Sequence, residues 1–413
     1  MTDFYNKALN YFPADYSTQI IPTGIQNNYV NVQTKNGMLI RKRNSYKVIA
    51  QNRDLVTVQP STTVPAALLN GGTLDFRIEK GVADVIDFAV IKHSFTNSSG
   101  AAVVLAPAQM LIQRVEYWLQ NGSTLIGTVY GHELYLQNAY LPRNEFENIC
   151  VPLGLTESYA SAATSVADGT SFTLYIPLWS PWMATRIHPS GLEGNILIRV
   201  FYQSTALTTV SGGALTCTGC TLQLSSRDQP QALQNEQEKF YRDLRVPTCL
   251  SFLNIQRMQQ VMSLTASSTY DIVLSGISGV ASCMFFTIRP AAITASNCIT
   301  YTAIDNYDLL DSSGSSLIGY TRKGLNEQLY EYSTCFDNKF RKLINFNVIA
   351  FSQDPVSDFV SGSNCGYQPL TTYERLSITM GAGLASASYL IDVIAYVQDE
   401  LRIINGKGSS MKS

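Results

Sequence analysis

The sequence predicts an all-β protein made of two consecutive β-sandwich blocks, on three observations. From Leu74 onward, short runs alternate apolar with polar residues, the period-two pattern of half-buried strands. The stretch Ser226 to Arg245 is the most polar and charged in the chain, and the β-pattern starts afresh beyond it. The two flanking blocks share their length and layout without a residue-by-residue repeat.

The chain opens differently. From Thr2 to Phe12, the residues Phe4, Ala8, Tyr11 and Phe12 fall near helical spacing, Thr2 or Asp3 caps the start and Pro13 stops it, so a short amphipathic helix is expected. Tyr16 to Ser61 is rich in Asn, Gln, Thr and Pro, carries Arg41-Lys42-Arg43, and reads as an extended arm with one or two short strands. Helix and arm either reach a neighbouring subunit or an anionic membrane surface, or pack on their own domain with a solvated basic loop.

In the first block, strands are expected at Leu74–Glu79, Val85–Phe95, Ala102–Leu105, Ile112–Leu119, Phe172–Pro177, Asn195–Tyr202 and Leu222–Ser225. One helical excursion interrupts them at His132–Asn138. Many short strands in one block argue for a sandwich and against alternating α/β units. The polar bridge then reads as a linker running into a helix behind Pro230. The second block offers strands at Leu250–Leu264, Tyr270–Leu274, Ala281–Ile288 and Cys298–Ala303. It closes with Leu343–Phe351, Glu374–Met380 and Tyr389–Val397 around a loop punctuated by Asp354-Pro355, Ser361-Gly362 and Gln368-Pro369.

Composition narrows the function classes. Of 413 residues, 45% are hydrophobic and 15% charged, with Tyr 23 and Phe 17. Charge is well below the roughly 25% of an ordinary soluble protein, which suits a surface largely covered by neighbours. A net charge of -2 gives no electrostatic reason to expect duplex nucleic acid as the main ligand. No run of about 18 apolar residues occurs, and the opening residues lack the pattern of a secretory signal. The eight cysteines are mostly scattered singly, as buried thiols of a protein folded in a reducing cytoplasm.

Motifs that carry chemistry are sparse. Cys217-Thr218-Gly219-Cys220 lacks a second CxxC or an HxxxH, and His93, His132 and His188 lie far apart in sequence, which speaks against zinc. Gly406-Lys407-Gly408-Ser409-Ser410 lacks the glycine spacing of a phosphate loop, and Gly276-Ile277-Ser278-Gly279 is one residue short of a nucleophile elbow. His188, in the loop after Trp182, is the most exposed-looking histidine, yet a loop or core role outweighs catalysis. Asp305, Asp308 and Asp311 form an acidic loop with Tyr307 where a calcium ligand belongs, so a solvated loop outweighs ion binding. Trp179, Trp182 and Tyr202 could stack a sugar, but aromatics at strand ends are more often core or interface. No catalytic, cofactor or metal residue is assigned.

Several stretches also carry a family resemblance. The order strand, helix with Glu133-Leu134, long loop, Pro177-Leu178-Trp179-Ser180-Pro181-Trp182 and strand Ile196–Val200 resembles the first domain of the double jelly-roll major capsid proteins of tailless icosahedral viruses. Asn235–Phe240 leading to Leu253-Asn254-Ile255-Gln256 is similar to that family's acidic helix before its second domain. Ala350–Pro355, Tyr373-Glu374-Arg375-Leu376 and the closing Glu400–Gly406 resemble its second-domain pattern. The resemblance covers about Leu74 to Gly408.

It implies two eight-stranded jelly rolls: an N-terminal helix and arm over 1–62, a first roll over 63–228, linker helix and second roll over 229–406, and a short mobile tail over 407–413. It implies a structural, non-enzymatic subunit of a virion shell, synthesised in the host cytoplasm. Its partners would be two further copies in a homotrimer, neighbouring capsomers, and vertex and minor capsid proteins; the arm, which lies outside the resemblance, adds an internal membrane reached through Phe4, Tyr11, Phe12, Arg41, Lys42 and Arg43. The alternatives are a glycan-binding or glycan-cleaving sandwich and a minor capsid or spike protein.

Overall fold

A computed structural model describes residues 52–140, 164–178, 187–203, 208–209, 215–228, 231–244, 248–316, 347–352, 368–370 and 375–412. The expected N-terminal helix, Arg41-Lys42-Arg43, Trp179, Trp182 and the whole loop from Asp354 to Gly366 lie outside these residues.

The first block folds into β1 (Asn52–Val58), β2 (Thr73–Ile78), β3 (Val85–Asn97), β4 (Val103–Leu105), β5 (Ile112–Leu119) and β6 (Thr124–Tyr130). Helix α1 (Gly131–Tyr140) follows, then β7 (Thr164–Val166), β8 (Ser171–Leu178), β9 (Ile196–Tyr202), β10 (Thr208–Thr209) and β11 (Leu215–Asp228). Two four-stranded sheets, ordered β1-β11-β3-β8 and β2-β9-β5-β6, form the sandwich. Alternation sets which face is inside: on β2, Leu74, Phe76 and Ile78 are fully buried while Thr73, Asp75 and Arg77 point out. Arg199 on β9 then forks onto Asp75 across the outer face, with hydrogen bonds of 2.8 and 2.9 Å.

Helix α2 (Gln231–Tyr241) bridges to the second block, as the polar stretch predicts. That block comprises β12 (Thr248–Leu264), β13 (Thr269–Val273), β14 (Val280–Pro290), β15 (Ile304–Leu310), β16 (Asn347–Ala350), β17 (Gln368–Pro369), β18 (Arg375–Met380), β19 (Ala387–Ile404) and β20 (Lys407–Lys412). Its sheets run β12-β19-β14-β16 and β13-β18-β15. Matched in chain order, β12, β19, β14 and β16 correspond to β1, β11, β3 and β8, and β13, β18 and β15 to β2, β9 and β5. The chain is therefore a double jelly roll, one topology built twice, although the two halves share no residue pattern.

Three expectations are corrected. Cys298–Ala303 is not a strand: Thr294 N donates to Asn297 Oδ1 at 2.7 Å and Asn297 Nδ2 donates to Ala292 O at 2.9 Å, local bonds that hold a turn instead. The strand begins at Ile304, so Asp305 and Asp308 belong to β15 and not to an acidic loop. Residues from Lys407 are no free tail, because β20 pairs with Asp399–Ile404 along its whole length. The turn is Asn405-Gly406 with φ of 52° and 76°, the left-handed pair that a two-residue hairpin needs. Among the described residues no helix is long and apolar enough to cross a membrane.

Candidate functional site

The feature that distinguishes this molecule from two independent sandwiches is the seam between its rolls. In β19 the sequence YLIDVIAYV is apolar at nearly every position, which only a strand buried on both faces tolerates. Ile391, Val393, Ala395 and Val397 enter the second roll's own core, whereas Ile394 and Tyr396 join the apolar cluster of the first roll. On β14, Met284, Phe286 and Ile288 likewise point inward while Cys283 and Phe285 join the first roll's cluster. The outer face of the β12-β19-β14-β16 sheet is thus covered by the first roll.

Helix α1 carries the first roll's polar side of the seam. It starts at Gly131 directly after β6, where a Cβ would fall on the backbone carbonyl oxygens of Ile112 and Gln109. Gly131→Ala is therefore expected to lower the unfolding free energy by about 1–3 kcal/mol, measurable as a drop in thermal midpoint. The next two residues reach across. His132 Nδ1 lies 2.8 Å from Asp392 Oδ2 and its Nε2 lies 3.0 Å from Tyr301 Oη. Glu133 Oε1 accepts the Tyr396 hydroxyl at 2.7 Å.

Asp392 is the hub. Arg257 on β12 grips both its carboxylate oxygens, with the Nε bond at 2.7 Å. Gln259 Nε2 donates to it at 3.2 Å and Arg289 Nη2 at 3.4 Å. Arg289 Nη1 also donates to Cys298 O at 3.2 Å, and the Arg257 guanidinium lies 4.5 Å from the centre of the Tyr130 ring. Tyr130, His132 and Glu133 come from the first roll, and the other members from the second.

Burial on its own would raise the Asp392 carboxyl, but the Arg257 guanidinium and the bonds from Arg257 and His132 hold it well below the usual carboxylate range. Burial pushes His132 down to about 4, with the charge of Arg289 adding to the effect and Asp392 opposing it. At neutral pH the imidazole is accordingly uncharged: it donates from Nδ1 to Asp392 and accepts from Tyr301 at Nε2. Every oxygen of Asp392 is engaged and its residue is 1% exposed, so the cluster is suited to holding two domains in register and not to turnover.

The residues singled out by sequence do not converge here. His188 is buried beside α2, its ring edge-on to Tyr241 at 5.9 Å, and burial pushes it down to about 3. Its exposed look in the sequence is thus misleading, and of the two roles favoured over catalysis it takes the core one. Tyr202 is also internal, its hydroxyl 2.8 Å from His93 Nε2, and cannot be part of a surface sugar platform. Cys217 and Cys220 sit inside β11 and not ahead of it, both as buried free thiols, with a register shift at Gly219. Asp308 accepts from Ser316 Oγ at 2.9 Å and Asp311 from Ser313 N at 2.8 Å, two separate local turns. Among the described residues no cluster of three or more metal-ligating side chains occurs. The seam itself was missed, although a lone Asp392 in an apolar strand and Arg289 at the end of another were visible signals.

No protein-family model and no curated protein matches the sequence. Solved structures do match. PBCV-1 VP54, as fitted into a reconstruction of the virophage Sputnik, superposes with a TM-score of 0.67 at 11% identity, over 89% of this chain and 98% of that one. The Faustovirus major capsid protein gives 0.61 at 10% identity, over 86% and 91%. The mavirus major capsid protein gives 0.52 at 11% identity, over 94% and 95%. At such identities the likeness is one of fold: two jelly rolls in one chain, spanning nearly the whole of each neighbour.

Proposed function

We propose that this chain is the major capsid protein of a tailless icosahedral virus, a structural subunit without catalytic activity of its own. It works as a pseudo-hexagonal homotrimer that tiles a shell around the genome, next to neighbouring capsomers and to vertex and minor capsid proteins. The observation that carries the reading is the pair of rolls with one strand order, locked side by side by a buried seam. Three such chains around a closed threefold axis present six similar rolls, which is how a threefold oligomer can occupy a site of hexagonal packing. The low charge of the chain suits wide subunit contacts, and full-length likeness to several capsid subunits supports the same reading. Assembly takes place in the host cytoplasm, and the mature location is the virion.

Electron microscopy of cells expressing the gene with its neighbouring genes tests this. Shells or sheets with hexagonally packed capsomers are expected; abundant soluble chain with no ordered assembly would contradict it. The N-terminal segment, through Phe4, Tyr11, Phe12, Arg41, Lys42 and Arg43, is proposed to meet an internal membrane. Deleting residues 1–43 is expected to abolish co-sedimentation with anionic liposomes, and unchanged co-sedimentation removes the membrane role.

A further inference from the structure

The two rolls are joined a second time, away from Asp392. Strands β12 and β19 outrun the sheet they belong to: among the described residues, 248–252, 399–404 and β20 pair only with one another, as a three-stranded ribbon ordered β12-β19-β20. Leu250, Phe252, Leu401 and Ile403 on this ribbon are each 5% exposed or less and belong to the first roll's apolar cluster, whereas Leu264, Ile391 and Val393 on the same two strands belong to the second roll's. One strand pair thus serves two cores. At the boundary, Asn254 Nδ2 donates to Asp399 Oδ2 at 3.0 Å, while Ile255 N donates to Asn254 Oδ1 and Glu400 N to Asp399 Oδ1, each at 2.8 Å.

The ribbon's hairpin grips the first roll and the linker helix through main chain. Glu193 N, ahead of β9, donates to Gly406 O at 2.7 Å; Gly406 N donates to Tyr241 O at the end of α2 at 2.6 Å, and Asn405 N to Asp243 O at 3.3 Å. Gln120 Nε2, in the turn between β5 and β6, donates to Gly408 O at 3.0 Å, and Thr248 Oγ1 donates to Phe240 O at 3.1 Å. Two glycines permit this approach. A Cβ on Gly406 would stand 2.9 Å from Glu193 N and 3.0 Å from Gly191 O, and one on Gly408 would fall on Leu119 Cδ1.

We infer that this ribbon is a strap: it closes over the first roll and opens from it as one unit, while both sandwich cores stay folded. Its grip is local, made of a few hydrogen bonds and four apolar side chains, and its hairpin reaches the surface, where Ile404 is 43% exposed. A contiguous segment held in this way is the kind that opens below the global unfolding free energy. With the strap closed, the rolls are fixed at two separated points and their mutual angle is set. With it open, the Asp392 cluster and the apolar contacts around it remain as the tie.

Hydrogen exchange of the full chain, read peptide by peptide, tests this. Gly406→Ala sets a Cβ against the backbone of Gly191 and Glu193 and leaves both apolar cores untouched. Peptides covering residues 248–252, 399–406 and 191–194 are expected to exchange about 100-fold faster than in the parent, the equivalent of losing two or three ordinary hydrogen bonds, with peptides of β2, β9, β13 and β18 unchanged. No change in the ribbon, or the same acceleration in every peptide, overturns the strap. Lys407→Ala removes only the exposed pair with Glu193 and is expected to change exchange by less than about 3-fold; an effect equal to that of Gly406→Ala overturns the main-chain grip. Should Gly406→Ala fail to fold, the parent chain decides the matter in rising, sub-denaturing urea. The ribbon peptides are then expected to open together and ahead of the two sandwiches, and opening only with the whole molecule overturns the inference.

Discussion

Asp392→Asn is expected to lower the unfolding free energy by about 3–5 kcal/mol, the cost of breaking a buried ion pair by removing one partner. The change keeps shape and volume but leaves the Arg257 and Arg289 guanidiniums without the anion between them. The Arg289 side chain is 3% exposed, so water cannot replace the lost carboxylate there, and burial already disfavours its charged form. The amide keeps one acceptor oxygen where the carboxylate had two, so His132 and Arg257 compete for it and the tie from the first roll to β19 is weakened. Denaturant unfolding of both proteins measures the effect; a loss below about 1 kcal/mol would place the ion cluster outside the stabilising contacts. A cycle with His132→Gln should be non-additive by at least about 0.5 kcal/mol, because the two side chains share one network.

Mild acid is expected to destabilise the fold strongly. His93 and His188 are pushed down to about 3 and His132 to about 4 from an ordinary 6.5, in each case first of all by burial. Their folded-state values are depressed, so the unfolded chain binds protons that the folded chain does not. Stability from these groups is complete above pH 6.5 and is lost as pH falls toward 4. Three such sites give a slope of about 4 kcal/mol per pH unit, hence a loss on the order of 6 kcal/mol between pH 6.5 and 5. Asp392 acts in the same direction at lower pH, because its carboxylate contributes above the unfolded value near 3.9 and loses that contribution below it. Urea midpoints at pH 7 and pH 5 test this: a marked fall is expected, and equal midpoints would mean that the histidines are not buried as neutral groups.

The alternation in runs such as LDFRIE and NILIRVFY made most strands legible, because a sandwich buries one face of each strand and the period follows from that alone. What escaped did so for identifiable reasons. Strand β6 contains Gly127, which breaks the apolar pattern and lies where Asn254 Oδ1 comes within 3.1 Å of a would-be Cβ. The glycine and cysteines of β11 looked like a loop and are a strand with an irregular register. Asn405-Gly406 is the strongest short hairpin signal, but the resemblance of Glu400–Gly406 to a family ending masks it. The seam was least accessible. His132 and Asp392 are 260 positions apart, and nothing local to either says that the one carboxylate in the apolar run Tyr389–Val397 awaits a helix of the other block. The layout of two similar blocks was readable; the fact that one block covers the other's outer face was not.

The central claim is that this chain is an assembling tile, and its mass in solution tests that most directly. Mass measurement of the purified chain at nanomolar concentration is expected to give a single species of three times the 45.5 kDa chain mass. A species of one chain mass under the same conditions would contradict the account.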